Sequence, residues 1–571
     1  MAFRGPLYRL STACLALLGL AATTAAEDHL VSQRLSKRFF DDSGHWNMSF
    51  YHINDVHARL DEFYSSGADC ADPARGCRGG YARVKQVLDS TRPDHPDSLF
   101  LNAGDEFQGT MFFSHYGGWK IAETLNQMGV DAMTLGNHEF DRGDDHLGEF
   151  LANLTFPIVC ANVFSSHPLL NKTIKPYQIF EDLGVAVIGV LTETTPSLSS
   201  VGEGTYFIDP VKAVQDAVDH IRSTTDIKRI VALTHIGYAE DQRLARETTG
   251  VHLIMGGHSH TKLGTEAGSE GSYPTIVRNK DGDEVFVVTA WRWGEYLGYI
   301  DVTYDNDGKI LAYHGAPINL NNKTAQDPGL QEQIEEWREP FDALGAEVIG
   351  FSEVVLDQTL CVTQECVLGN FFTDAMLYDR VNRSSAGTPP SFAITNSGGI
   401  RATIDNGNVT VGGVTQAFPF ANSIVELSIS GDNLWTTLEG IVSKTNQVNG
   451  RPVTSFLQVS AGVAIVYDPD AAAGNRLVSV KINGEALDKS KEYKFVTLDF
   501  LATGGDNFFD PVYTNLAPLD QASDVLTRYI KVKSPISIGI EGRIKTGKVS
   551  KCKRRRRGLS SRMGAVESEK R

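Results

Sequence analysis

Short runs rich in β-branched and large apolar residues recur along the first half of the chain, at 48–53, 98–101, 132–135, 185–191, 229–233 and 251–255. Their length and composition predict strands. Between them, helical patterns occupy 81–90, 119–128 and 210–221. Strands alternating with helices predict an α/β fold, a layered unit of β-sheets flanked by helices over residues 47–325. Ligands of such sheets gather beyond the carboxyl ends of the strands. A polar stretch after residue 321 gives way to a helical pattern at 330–344, which predicts a helical linker over 326–350. From 351 to 545, helices and strands mix with Gly-rich turns, which predicts a second unit of α/β (α+β) type. No internal repeat is evident.

Composition narrows the class. The chain has 571 residues, 41% of them apolar and 22% charged, which suits a soluble globular protein of two to four domains and excludes a disordered, collagen-like or mostly membrane-embedded one. The net charge of −17 argues against binding a nucleic acid polymer through its phosphates. The charge is uneven, because residues 545–571 hold eleven basic and two acidic residues. That tail, 546–571, reads as a disordered basic extension. An acidic protein acting on an acidic substrate needs a local positive potential, and metal ions supply one.

The N-terminus carries a secretory pattern: Arg4 and Arg9, an apolar run at 14–22, then Thr24-Ala25-Ala26. This predicts a signal peptide over 1–26, its apolar run too short to span a bilayer, cleaved after Ala26. No second apolar run of membrane length follows, and the C-terminus lacks the hydrophobic tail of a GPI signal. Sequons at Asn47, Asn153, Asn171, Asn322, Asn382 and Asn408 agree with a secreted, extracellular glycoprotein. In an oxidising compartment Cys70 with Cys77 and Cys361 with Cys366 read as local disulfides. Cys160 reads as a core thiol, Cys552 as a free thiol in the tail, and Lys37-Arg38 as a dibasic processing site or a surface pair.

The chemistry lies where the predicted strands end. Asp55-Val56-His57 follows the first, Gly104-Asp105 the second and Gly136-Asn137-His138-Glu139 the third; Thr234-His235 and Gly256-Gly257-His258-Ser259-His260 follow two later ones. Each loop delivers oxygen or nitrogen donors to one rim of a sheet, and adjacent glycines permit tight turns. Two divalent ions about 3.5–4 Å apart need a carboxylate that can bridge them, with neutral imidazoles and oxygen donors around it. Such a pair polarises a phosphoryl group and lowers the pKa of a bound water, generating hydroxide near neutral pH. Any one of these motifs alone is an ordinary turn; the ordered set of five is the signal.

These ordered motifs resemble the calcineurin-like metallophosphoesterase superfamily. With the second unit included, residues 48–544 resemble the secreted 5′-nucleotidase family, which also holds UDP-sugar hydrolases and apyrase-like enzymes. The resemblance implies a first metal held by Asp55, His57, Asp105 and His260. It implies a second held by Asp105 as bridge with Asn137, His235 and His258. Zinc is the first choice, and manganese, iron or cobalt accept similar ligands. His138 resembles the family's catalytic histidine paired with Asp141. An imidazole there would stabilise charge on the phosphoryl group or protonate the leaving alkoxide. Asp141 reads either as the carboxylate orienting that ring or as a helix N-cap ahead of 144–151.

In the second unit, Asn396-Ser397-Gly398-Gly399-Ile400-Arg401 follows a predicted strand at 392–395, and an Arg in a Gly-rich turn reads as an anion grip. By resemblance, Phe420 and Phe500 would stack a nucleobase, Asp506 would bind ribose hydroxyls, and Asn396 and Arg401 would hold phosphate or nearby groups. The loop between Cys361 and Cys366 departs from the family, because Val362-Thr363-Gln364-Glu365 lacks its basic residue. The expectation is a secreted dimetal phosphohydrolase that removes the 5′-phosphate of nucleotides, AMP first among them, by in-line attack of metal-bound hydroxide. The alternatives are an apyrase-like di- or triphosphate hydrolase, a UDP-sugar hydrolase, or a non-catalytic nucleotide-binding protein.

Overall fold

The computed structural model describes residues 45–548 except 66, 71–75, 384–388, 421, 515, 517 and 518. The expected signal peptide, the Lys37-Arg38 site and Cys552 lie outside the described residues, as does all but the start of the basic tail.

Two sheets face each other in the first half. One is built on the parallel strands Trp46–Ile53, Ser98–Asn102, Ala132–Met133, Ile158–Val159 and Ile174–Lys175, extended by the antiparallel Tyr296–Tyr304 and Ile310–His314. The other runs Thr275–Arg278, Glu284–Thr289, Leu253–Gly256, Arg229–His235, Val185–Leu191, Tyr177–Phe180, parallel except at its two edges. Side chains alternate between the faces of a strand. Met48 and Phe50 therefore point between the sheets to meet Val187, Val231 and Leu233. Tyr51 and Ile53 point outward under helices Tyr81–Thr91 and Trp119–Met128. Ala186, Ile188 and Val190 likewise pack under Pro210–Thr224. The result is four layers, helix, sheet, sheet and helix, with both sheets buried on both faces.

The predicted strands at 132–135 and 251–255 occur as Ala132–Met133, its end given over to the loop that follows, and Leu253–Gly256, which starts two residues later and runs one residue further. The helix expected to link the two units spans Pro328–Gly345, and its Leu330, Ile334, Trp337 and Phe341 complete the first unit's core. Arg338 binds it further through Asp61 and Asp69, at 3.0 and 3.2 Å. The second unit packs helices Val367–Arg383, Gly431–Ser443 and Ala522–Lys533 with a four-stranded sheet, Ile424–Ser430, Glu492–Leu498, Phe392–Asn396 and Leu457–Val459, and with a second four-stranded sheet.

Disulfides join Cys70 to Cys77 and Cys361 to Cys366. Cys160 is a buried thiol, pushed up to about 12 by desolvation. Among the sequons, Asn47 is buried, its Oδ1 accepting from Thr303 Oγ1 at 2.8 Å, so the folded strand cannot present it to modification. The other five are exposed. No helix among the described residues is long and apolar enough to cross a membrane.

Candidate metal centre and cleft

Register brings the donor loops to one rim. Ile53 stands opposite Asn102 and Asn102 opposite Met133 in the first sheet, and Thr234 opposite Gly256 in the second. The loops are then laced together: Asp55 N donates to Gly104 O at 2.9 Å, His57 N to Asp105 O at 3.0 Å and His258 N to Asp55 Oδ2 at 3.0 Å. The lacing holds backbone that L-residues avoid. Asp55, His57, Asp105, His258 and His260 all have left-handed φ, of 52°, 54°, 59°, 80° and 49°. Such strain costs about 1–3 kcal/mol per residue and persists where the surroundings over-determine it. Gly136 is required by close approach, since a Cβ there would lie 2.1 Å from Asp105 Oδ1.

Two clusters result. The ligand atoms of Asp55, His57 and His260 lie within 4.8 Å of one another, and so do those of Asp105, His235 and His258. The clusters adjoin: Asp105 Oδ2 is 3.1 Å from His235 Nε2 and 3.8 Å from His57 Nε2, while Asp55 Oδ1 is 3.3 Å from His260 Nε2 and 3.9 Å from His235 Nε2. The outer nitrogens are tied to backbone carbonyls, His57 Nδ1 to Phe107 O at 3.0 Å and His235 Nδ1 to Ala103 O at 2.7 Å. Each ring therefore presents the Nε2 lone pair inward, the orientation a metal ligand needs.

Two atoms of the centre are left over in the protein alone: Asn137 Oδ1 and His235 Nε2 are buried without a hydrogen-bond partner among the described residues. His57 Nε2 meets both His260 Nε2, at 3.0 Å, and an Arg401 Nη2, at 2.9 Å. Burial, reinforced by Arg401, holds His57 well below the usual imidazole range, and burial brings His258 and His260 to about 4. Asp105 is held well below the carboxylate range, the imidazoles of His235, His138 and His57 overcoming the opposing effect of burial. Among the candidate ligand imidazoles His235 alone is raised, to about 10, by Asp105 and Asp55 against the lowering effect of burial. Carboxylates, imidazoles whose Nδ1 contact or burial leaves Nε2 to be used, and an amide oxygen around one centre make a donor set suited to two borderline divalent ions, which would take the place of the proton on His235.

His138 and Asp141 lie at the edge of this centre. His138 Nδ1 is 2.8 Å from Asp141 Oδ2, leaving Nε2 for the cleft, and Asp141 raises the ring's pKa against the lowering effect of burial. The helix Gly143–Ala152 has Arg142 at its N-cap position and no side-chain cap, so Asp141 orients the ring and caps nothing.

The second unit forms the facing wall of a cleft of about 1820 Å³, lined by Asp105, Asn137, His138, Asp141, His258 and His260 on one side and Asn396, Arg401, Phe420, Phe500 and Asp506 on the other. Asp55, His57 and His235 lie buried beneath its floor. An Arg401 Nη2 stands 2.9 Å from His57 Nε2, and the Phe420 ring is 5.6 Å from that of His138. Asp506 accepts from Asn396 Nδ2 at 2.6 Å and from Thr454 Oγ1 at 2.7 Å.

Sequence reasoning passed over several contributors. Glu139, quoted only as part of a motif, is a buried carboxylate that accepts from the backbone N–H groups of Gly136, Asp105, Glu106 and Phe107, binding two donor loops together. Its place three residues after Gly136 was the available signal. Thr454, Gln108 and Ser199 had none, because their partners are remote in sequence.

Comparison with known proteins gives a consistent picture. Residues 48–262 match the calcineurin-like phosphoesterase family and 348–513 the 5′-nucleotidase C-terminal domain. The 5′-nucleotidase of Bos taurus is 34% identical over 89% of this chain and 92% of its own length. The apyrase of Tabanus yao is 34% identical over 87% of this chain and 93% of its own. The crystal structure of a 5′-nucleotidase precursor from Thermus thermophilus superposes with a TM-score of 0.79 at 34% identity, covering 88% of this chain and 99% of that one.

Proposed function

The chain belongs to the family in which a calcineurin-like phosphoesterase domain precedes a 5′-nucleotidase C-terminal domain, and from that membership we propose that it hydrolyses the 5′-phosphate of nucleotides, AMP foremost, outside the cell. The reading rests on two adjoining three-ligand clusters on the floor of a cleft whose opposite wall carries Arg401, Phe420, Phe500 and Asp506.

In this reading Asp55, His57, Asp105 and His260 would hold one ion and Asp105, Asn137, His235 and His258 the other; zinc would suit the imidazole-rich set best. Bound there, the ions would polarise the phosphoryl oxygens and lower the pKa of a coordinated water. The protein's own groups supply the rest. Asp141 accepts from His138 Nδ1 and its charge favours the doubly protonated ring against the lowering effect of burial, and in that imidazolium Nε2–H can donate to a phosphoryl oxygen or to the departing O5′. Arg401 offers a planar pair of donors to the phosphate. Phe420 and Phe500 flank the base, and Asp506, steadied by Asn396 and Thr454, accepts from the ribose hydroxyls.

Secretion is supported by the two disulfides and the exposed sequons. A second reading, toward di- and triphosphates, draws on the loop between Cys361 and Cys366, which has no basic residue to favour a monophosphate, and on the similarity to an apyrase. Phosphate release from AMP, ADP, ATP and UDP-glucose by zinc-reconstituted protein separates the two. AMP turning over fastest supports the first reading, and ATP or ADP doing so supports the second. No release from any of them, with His138→Ala indistinguishable from the parent, would leave a binding protein.

A further inference from the structure

We propose that Ser199 is a positioning residue for the His138–Asp141 dyad, an inference that rests on the reading of that dyad given above. Asp141 is a two-oxygen carboxylate with both oxygens engaged. Oδ2 takes the His138 Nδ1 contact and a longer one, 3.3 Å, from Gln108 Nε2. Oδ1 accepts from Ser199 Oγ at 2.8 Å. A carboxylate can only accept, so the Ser199 hydroxyl is the donor. The torsion that orients an Asp carboxylate is broad and nearly two-fold. A partner on the second oxygen therefore determines where the first one points, and with it the angle at which His138 meets the cleft.

The segment that carries Ser199 is built to hold a hydroxyl still. It leaves the strand Val185–Leu191, whose last residue is clamped by the Asn162 side chain through both N and O, at 2.9 and 2.6 Å. Thr192 N then donates to His235 O at 2.9 Å, tying the segment to the strand that bears a proposed ligand. Within it, Thr195 Oγ1 donates to Thr192 O at 2.7 Å, Ser197 Oγ to Thr194 O at 2.8 Å and Ser199 N to Thr195 O at 3.0 Å. Its far end is tied by Gly202 N to Asp144 Oδ1 at 2.8 Å, on the helix that follows Asp141. Anchored at both ends, the segment presents Ser199 at the cleft wall beside the dyad, from 58 residues away in sequence.

The test is a double-substitution cycle on the full-length, zinc-loaded enzyme with AMP. Ser199→Ala should lower kcat by about 10–100-fold, the scale seen when an outer partner of a site group is removed, with little change in KM and an unchanged melting temperature. Ser199→Thr, which keeps the hydroxyl, should recover most of the rate. In a His138→Ala background the Ser199→Ala substitution should cost nothing further, because residues acting as one unit are not additive. An equal loss in that background, or a loss carried wholly by KM, would overturn the proposal. Full activity in His138→Ala itself would instead overturn the reading of the dyad, and the role of Ser199 with it.

Discussion

At the scale of single residues, the site is a set of unfavourable conformations held in place. Five donor residues sit at left-handed φ, and His57 Nε2 is crowded by His260 Nε2 at 3.0 Å and an Arg401 Nη2 at 2.9 Å. Such arrangements are stable only when neighbouring contacts over-determine them. Glu139 is one of those neighbours, and Gly136 is another. Gly136→Ala would drive a methyl into Asp105 Oδ1; metal analysis of the purified variant should find less than the parent's two ions, with activity lost in proportion. His138→Ala leaves both clusters intact. It should lower kcat for AMP by about 10²–10⁴-fold, the range of general acid–base catalysis, while bound metal stays at the parent's level.

At the scale of elements, the strands do the aiming and the helices do the anchoring. Parallel strands that end in register deliver each loop to the same rim, so donors 203 residues apart in sequence come within a few ångströms. Helix Pro328–Gly345 shows how little freedom a connecting segment retains once its apolar face finds a core. Phe341, 3% exposed, packs against Phe112 with ring centroids 5.2 Å apart. Phe341→Ala should cost about 3–5 kcal/mol by cavity formation, read as a lower urea midpoint for the first unit. In the proposed reading, metal bound among the strained loops would also be a structural partner. Removing it with a chelator should lower the melting temperature and readdition of zinc should restore it, a ligand at 1,000 times its Kd contributing about 4 kcal/mol. An unchanged melting curve would show that the loops hold themselves without the ions.

At the scale of the whole molecule, the proposed reaction draws on both units. The candidate metal ligands and dyad come from one, while Arg401, Phe420, Phe500 and Asp506 come from the other, and the two meet across the cleft. Away from it, Asp69 N donates to Gln416 Oε1 at 3.1 Å and helix Val411–Ala417 packs on helices Met111–Tyr116 and Pro328–Gly345. Relative motion is the default expectation for two domains of one chain. A disulfide engineered between the Asp69 turn and helix Val411–Ala417 should stop steady-state AMP hydrolysis, and reducing agent should restore it. Full turnover in the oxidised, locked form would exclude interdomain rotation.

Much of this was legible in the residue order, and the reason is local. A strand signals itself by composition over five to seven residues, and the residues just past its end, such as Asp55-Val56-His57 or His258-Ser259-His260, state their chemistry within three. What one strand and its loop contain, the amino-acid order therefore determined: the alternating α/β pattern, the donor motifs and the two short cysteine pairs. Pairings between distant segments depend on how the layers stack, and that the tertiary structure alone decided. It closed the helix Pro328–Gly345 onto the first core, hid Asn47 behind Thr303 on the neighbouring strand and set Ser199 against a carboxylate 58 residues away. In each case the interaction costs chain entropy to close and is favourable only once the surrounding layers have brought the partners within reach.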